Sequence, residues 1–272
     1  MPRVILLTGS EIRHAFFRKF LAKLPDINLV RTYCETPISI EVLIKGEDKK
    51  DLRSLHLQAR TQAEEDFFGL FVKSSEDLSN PKSIERGSIN DEGYVQEIID
   101  LNPDYLVAYG CSIIKSDLIK YFEGRFVNLH LGLSPYYRGA ATNFWPLVNN
   151  EPQFVGATFM HLDAGIDTGK IIHQLRAKIV PFDTVHTIGN RLIKDACEVM
   201  GRILTKGPGN QAFSISNPTS FVEKVYRNKD YTEESVRKLY DNFNQGMIEA
   251  YLRDAVALNS SYPIIENPLF LS

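Results

Sequence analysis

The chain has 272 residues, 43% of them hydrophobic and 24% charged, with a net charge of −3 at pH 7. That balance supports a packed core rather than disorder, and the length suits one large α/β domain with a small appendage or two modest domains. A slightly negative chain has no field to gather a polyanion, which argues against nucleic-acid binding as the main activity while leaving a local basic patch open.

Short apolar runs alternate with amphipathic helical stretches, the pattern of an α/β, Rossmann-like fold: a mostly parallel sheet with helices on both faces. Residues 4–8 read as the first strand and 11–24 as the helix after it. The Thr8-Gly9-Ser10 turn between them lacks GxGxxG, so a nicotinamide dinucleotide is not expected there, although a weak phosphate contact is open. Residues 28–34 form a second strand. Residues 47–68 carry charges of both signs, with Leu52, Leu55, Ala59 and Ala63 at helical spacing, and read as a solvated surface helix. Residues 69–73 are a third strand.

Residues 91–101 read as a helix with Val95, Ile98 and Ile99 on one face, stopped by Asn102-Pro103. A buried strand at 105–109 is broken by Gly110; a helix at 112–122 leads to a strand at 126–130, with further strands at 154–161 and 170–174. Thr184 opens a long helix whose Val185, Ile188, Leu192, Ala196, Val199 and Ile203 recur every three or four residues. Gly207-Pro208-Gly209 ends it, dividing the chain into a large unit, 1–206, and a small C-terminal extension, 207–272. Residues 217–228 look irregular. Thr232 caps a last helix, with Glu233 and Glu234 in its first turn; its apolar face (Val236, Leu239, Phe243, Met247) would pack on the large unit or on a second subunit, which leaves a homodimer open.

Cys34, Cys111 and Cys197 are odd in number, widely spaced and without a CxxC pair, so they read as buried free thiols in a reducing compartment. The apolar run at 4–7 is too brief for a signal segment, and no stretch approaches a membrane span. A cytoplasmic protein is the expectation.

Polar residues without an obvious structural duty concentrate between 127 and 169. Asn128 and His130 stand at i and i+2 near the end of a strand and share a face, and the carboxyl ends of the strands are where open α/β sheets bind ligands. An amide and an imidazole there can both reach one oxygen, as a tetrahedral oxyanion requires. Taken alone, the pair reads equally as a core histidine beside a turn asparagine. A loop with Leu133-Ser134-Pro135 and Arg138-Gly139 follows directly, and a second loop, 163–169, brings two carboxylates and two glycines. A carboxylate near His130 would favour its imidazolium and could take the proton that an attacking amine must lose. A metal site built from His161, Asp163, His130 and Asp167 accounts for the same residues less well, and no metal is expected. Phe144, Trp145 and Pro146 read as core or pocket wall.

In this order and spacing the N-x-H pair, the Leu-x-Pro-x-x-x-Gly loop and the Ile-Asp-Thr-Gly loop resemble the folate-dependent formyltransferase family, which includes methionyl-tRNA, glycinamide ribonucleotide and nucleotide-sugar formyltransferases. The likeness covers residues 103–203 well and the first hundred only in architecture. It implies transfer of a formyl group from N10-formyltetrahydrofolate to a primary amine, with Asn128, His130 and Asp167 as the catalytic set. It also implies that backbone groups of Tyr109, Gly110, Cys111, Ser112 and Ile113 and of Asp163, Ala164, Gly165 and Ile166 hold the pterin, and that Ser134, Pro135, Arg138 and Gly139 meet the acceptor. Many relatives read Ser-Leu-Leu-Pro where this chain has Gly132-Leu133-Ser134-Pro135, a departure on the acceptor side.

Beyond Gly207 six basic residues (Lys224, Arg227, Lys229, Arg237, Lys238, Arg253) are outnumbered by eight acids (Glu223, Asp230, Glu233, Glu234, Asp241, Glu249, Asp254, Glu266). Phosphate neutralisation dominates nucleic-acid affinity, so a tail of net −2 argues against tRNA. The expected acceptor is a nucleotide-linked aminosugar. Methionyl-tRNA formyltransferase activity is the alternative, and a non-catalytic folate-binding protein the third reading.

Overall fold

The computed structural model describes residues 1–36, 51–165, 167–207 and 222–271. The described residues form nine strands: β1 (Arg3–Thr8), β2 (Asn28–Glu35), β3 (Pro81–Ile84), β4 (Tyr105–Tyr109), β5 (Phe126–His130), β6 (Tyr137–Gly139), β7 (Gly156–His161), β8 (Ile171–Arg176) and β9 (Lys224–Tyr226). Seven of them make one sheet in the order β3-β2-β1-β4-β5-β7-β8, and β6 pairs with β9 in a small parallel ribbon. The large sheet is parallel from β3 to β5, while β7 and β8 run antiparallel at its far edge.

Parallel strands covered on both faces need apolar side chains at successive positions. In β1, Val4, Ile5, Leu6 and Leu7 are each at most 1% exposed. Their alternation divides them between two cores: Val4 and Leu6 join Val107, Val127 and Ile188 on one face, while Ile5 and Leu7 join Tyr33, Leu106 and Ile98 on the other. Strand order runs outward from β1 in one direction and from β4 in the other, so the carboxyl ends of the central strands face a topological switch point, where such sheets bind ligands.

Eight α-helices are described: α1 (Ile12–Ala22), α2 (Leu52–Ser74), α3 (Glu92–Asp100), α4 (Ser116–Tyr121), α5 (Trp145–Val148), α6 (Val185–Lys206), α7 (Glu233–Asn244) and α8 (Met247–Ser261). The α6 stripe sits where its periodicity places it, with Ile188, Leu192, Ala196, Val199 and Ile203 all buried, and Thr184 caps the helix by accepting from the Thr187 amide. The expected helix at 112–122 is confined to α4.

Two expectations about the segment before β3 are corrected. Residues 69–73 are the end of α2, not a strand; the third strand is the short edge piece Pro81–Ile84. A brief apolar run does not distinguish strand from buried helix, and here Asp51 starts the helix by accepting from the Ser54 amide while Phe68 and Phe71 pack on Phe16, with ring centroids 4.6 and 5.1 Å away. The inner face of α2 is also rotated from the expected one. Leu55 is 48% exposed, whereas Leu57, Glu64 and Phe68 face inward, Glu64 accepting two hydrogen bonds from Arg13. Residues 47–50 of that expected helix lie outside the described residues.

The apolar face of α7 packs on its own chain. Val236 and Leu239 of α7 belong to the larger core, as does Met247, which opens α8 because the expected single helix breaks at Gly246, and Asn242 Nδ2 donates to the carbonyls of Leu147 and Val148 on α5. Of the stretch expected to be irregular, residues 217–221 lie outside the described residues and 224–226 form β9. No helix among the described residues is long and apolar enough to cross a membrane.

Candidate active site

His130 ends β5 with 8% of its surface exposed, and Asn128, two residues earlier on the same strand face, is half-buried. The Asn128 amide forms no side-chain hydrogen bond among the described residues. An unengaged amide near the carboxyl end of an inner strand is free to bond an incoming group.

Asp167 comes from the loop between β7 and β8 and meets this face from the side. Its Oδ1 lies 3.2 Å from His130 Nδ1, and its Oδ2 accepts from the Gly139 amide at 3.0 Å. The Asp167 backbone has φ of +51°, a left-handed conformation that aspartate tolerates better than most residues. Burial pushes the His130 imidazole below its ordinary range; the Asp167 carboxylate and the Tyr137 backbone pull the other way, and Arg138 adds to the lowering.

Gly139 is required where it stands. Its φ is +94°, and a Cβ there would sit 2.1 Å from the Tyr226 carbonyl oxygen. That same oxygen accepts from the Ala140 amide at 2.9 Å, so β9 closes directly over the loop that holds Asp167. Arg138 is paired with Glu223 and not free.

Two residues that the sequence did not single out shape the site. Thr142, 3% exposed, donates from Oγ1 to the Leu131 carbonyl at 2.5 Å, and the same Oγ1 lies 3.3 Å from His130 Nε2. Glu35, at the end of β2 and 1% exposed, accepts from the amide and the hydroxyl of Ser112, both at 2.6 Å, and from the Gly87 amide at 3.0 Å. Neither had a signal in the sequence: Glu35 closes a strand that also carries Asn28, Arg31 and Thr32, and Thr142 had only its place in the loop.

The remaining expected positions divide by what they contact. Ser134 is 2% exposed, its amide donating to Thr158 Oγ1 and its carbonyl accepting from Gln174, and Pro135 is half-buried beside it. Tyr109 is buried, and a Cβ on Gly110 would meet the His14 ring at 2.3 Å. The Ser112 amide is engaged by Glu35, the Ile113 carbonyl accepts from Asn90, and the Gly165 amide donates to Asp163. Backbone groups of Cys111 and Ala164 enter no such bond among the described residues; Ile166 lies outside them. The Cys111 thiol, pushed up to about 12 by burial and then by Glu35, stays protonated. Among the described residues no group of three or more His, Cys, Asp or Glu could hold a metal ion.

A model of the formyl transferase family matches residues 54–204, more than half of the chain. The chain belongs to this family. It is similar to the methionyl-tRNA formyltransferase of Desulforamulus reducens, 35% identical over 115 residues that span 42% of this chain and 36% of that relative; the match thus covers about a third of the relative's length. Among solved structures, the fold of this chain is similar to that of the phosphoribosylglycinamide formyltransferase of Anaplasma phagocytophilum, with a TM-score of 0.53 and 13% identity over 75% of this chain and 85% of that one. A sugar N-formyltransferase from Shewanella sp. FDAARGOS_354 shares the fold with a TM-score of 0.52 and 17% identity over 85% of this chain and 78% of that one.

Proposed function

We propose that the chain transfers a formyl group from N10-formyltetrahydrofolate to a primary amine, most suitably the amine of a nucleotide-linked aminosugar. The observation that carries the reading is the meeting of His130 with Asp167 at 3.2 Å, beside the unengaged amide of Asn128 on the same strand face. The donor supplies an electrophilic formyl carbon. Asn128 donates a hydrogen bond to the formyl oxygen as negative charge gathers there, and His130 donates a second. Asp167 orients His130, favours its protonated form and accepts the proton released by the amine. A C–N bond to the acceptor forms, the bond from the formyl carbon to N10 breaks, and N10 takes up a proton. Backbone groups of Cys111 and Ala164 hold the pterin, on loops fixed by Glu35 and by the Asp163 turn.

The acidic extension supports a small acceptor over tRNA, since its eight acids exceed its six bases. The likeness to a methionyl-tRNA formyltransferase supports initiator tRNA as the second reading. Residues 1–206 would then be the catalytic unit and 207–272 an extension that closes over it through β9. The test is release of tetrahydrofolate from N10-formyltetrahydrofolate in the presence of several nucleotide aminosugars, simple amines and initiator methionyl-tRNA. Release with an aminosugar supports the proposal, release only with the tRNA replaces the acceptor, and no release with any of them overturns the catalytic reading in favour of folate binding.

A further inference from the structure

The Thr142 hydroxyl has one proton and two acceptors in reach. Leu131 O lies 2.5 Å away and His130 Nε2 3.3 Å. The shorter contact holds the proton, because hydrogen-bond strength falls steeply with distance. What Thr142 then turns toward Nε2 is a lone pair. A lone pair facing a bare ring nitrogen repels it, whereas one facing an N–H accepts from it.

On the opposite side of the ring the Asp167 carboxylate faces Nδ1 at 3.2 Å and likewise favours a proton there. The other groups around the imidazole are the Tyr137 backbone, which acts with Asp167, and Arg138, which acts against a charge on the ring while itself paired with Glu223. Gly132 completes the setting: a Cβ on it would sit 2.5 Å from Nε2 and 2.6 Å from Thr142 Oγ1, so nothing larger than glycine lets the hydroxyl and the ring approach.

From this geometry we infer that Thr142 is a positioning residue, which holds the His130 ring by its far nitrogen and keeps a proton on Nε2. The inference rests on the proposed role of His130 in formyl transfer. The contact at Nε2 is long, so an incoming formyl oxygen displaces Thr142 from that proton at little cost, and the ring arrives already aimed. Burial favours a neutral imidazole, and Asp167 would draw its one proton to Nδ1; Thr142 opposes this.

The test compares Thr142→Val, which keeps the shape but has no lone pair, with Thr142→Ser, which restores it. Ring ¹⁵N shifts of His130, followed across pH in the folded, ligand-free protein, report the tautomer without reference to activity. In Thr142→Val the ring pKa should fall by roughly 0.7 and the neutral form shift toward Nδ1–H. kcat at pH 7 should drop about fivefold, the size of one weak hydrogen bond, with KM for the folate donor unchanged. Thr142→Ser should behave as wild type in each respect. Gly132→Ala, which displaces the ring by contact, should lower kcat as well, so the inference does not depend on one variant folding. An unaltered His130 titration and tautomer in folded Thr142→Val would overturn it. If His130→Ala turned over normally while the titration of Thr142→Val shifted as described, the catalytic reading would fall and the Thr142 contact would stand.

Discussion

Asp167 does two jobs with two oxygens. One faces His130 Nδ1 and the other accepts from the Gly139 amide, which stops the carboxylate from rotating away from the ring. Replacing it with asparagine preserves size and leaves an oxygen for Gly139, but removes the charge that favours a protonated imidazole. The sign follows directly: with that charge gone, burial and Arg138 act unopposed except by the Tyr137 backbone, so His130 in Asp167→Asn should titrate at lower pH than in wild type. A ¹⁵N titration of the ring checks this, and an equal or higher pKa would contradict it. The rate should fall by about 10²-fold or more, the usual share of positioned acid–base groups. At this scale the sequence was informative where the residues lie close along the chain or within a recognisable loop, as for Asn128, His130 and Asp167. It was silent on Thr142 and Glu35, because a hydroxyl or a carboxylate gains meaning only from partners that folding brings to it, such as Ser112 at a separation of 77 residues from Glu35.

Between elements, the junction of β6 with β9 couples the C-terminal extension to the site. Tyr226 lies stacked on Trp145, with ring centroids 4.1 Å apart, and its carbonyl passes so close to Gly139 that no side chain fits between them. Gly139→Ala forces either a strained left-handed backbone at alanine or a retreat of β9, and both shift the amide that holds Asp167. The expected outcome is a fall in kcat of about tenfold or more together with a lower melting temperature, from a loss of about 1 kcal/mol or more. Steady-state kinetics beside thermal unfolding decide it; wild-type values in both would contradict the coupling. The parallel sheet, the long α6 and the cap at Thr184 were legible because their periodicities are strong. The fate of residues 69–73 was not, since Leu70, Phe71 and Val72 fit a strand or a helix equally until Phe16 supplies the surface that selects the helix.

Across the whole molecule, burial holds His14, His56, His173 and His186 neutral. His14, His173 and His186 are lowered to about 4 and His56 to about 3, first by burial and then by nearby positive groups: Arg13 for His14, Arg202 for His173, Arg60 for His186, and His186 with Arg60 for His56. In the unfolded chain each titrates near 6.5. Between that pH and about 4 the unfolded state binds protons that the folded state refuses, so stability is full above 6.5 and declines as pH falls through this window. The lowered carboxylates Asp77, Glu97 and Asp183 act in the same direction at lower pH. Urea midpoints measured from pH 7 to pH 4 should therefore drop steadily, and a flat profile would contradict this account. His56 and His186 lie with rings 4.8 Å apart between α2 and α6, and His56 Nδ1 is 2.9 Å from the Tyr240 hydroxyl of α7, so the extension shares in the loss. The sequence marked a boundary at Gly207, yet it could not show that Val236, Leu239 and Phe270 complete the same core as α6, because a short amphipathic segment does not name the surface it covers.

The central claim is that Asn128 and His130 act together on one formyl oxygen. It is tested most directly by measuring formyl transfer, as mass gained by the amine, with purified wild type, Asn128→Ala and His130→Ala of matched fold. Each variant should lose about 10²- to 10³-fold in kcat, the cost of removing one oxyanion donor; turnover at the wild-type rate in either would contradict the assignment.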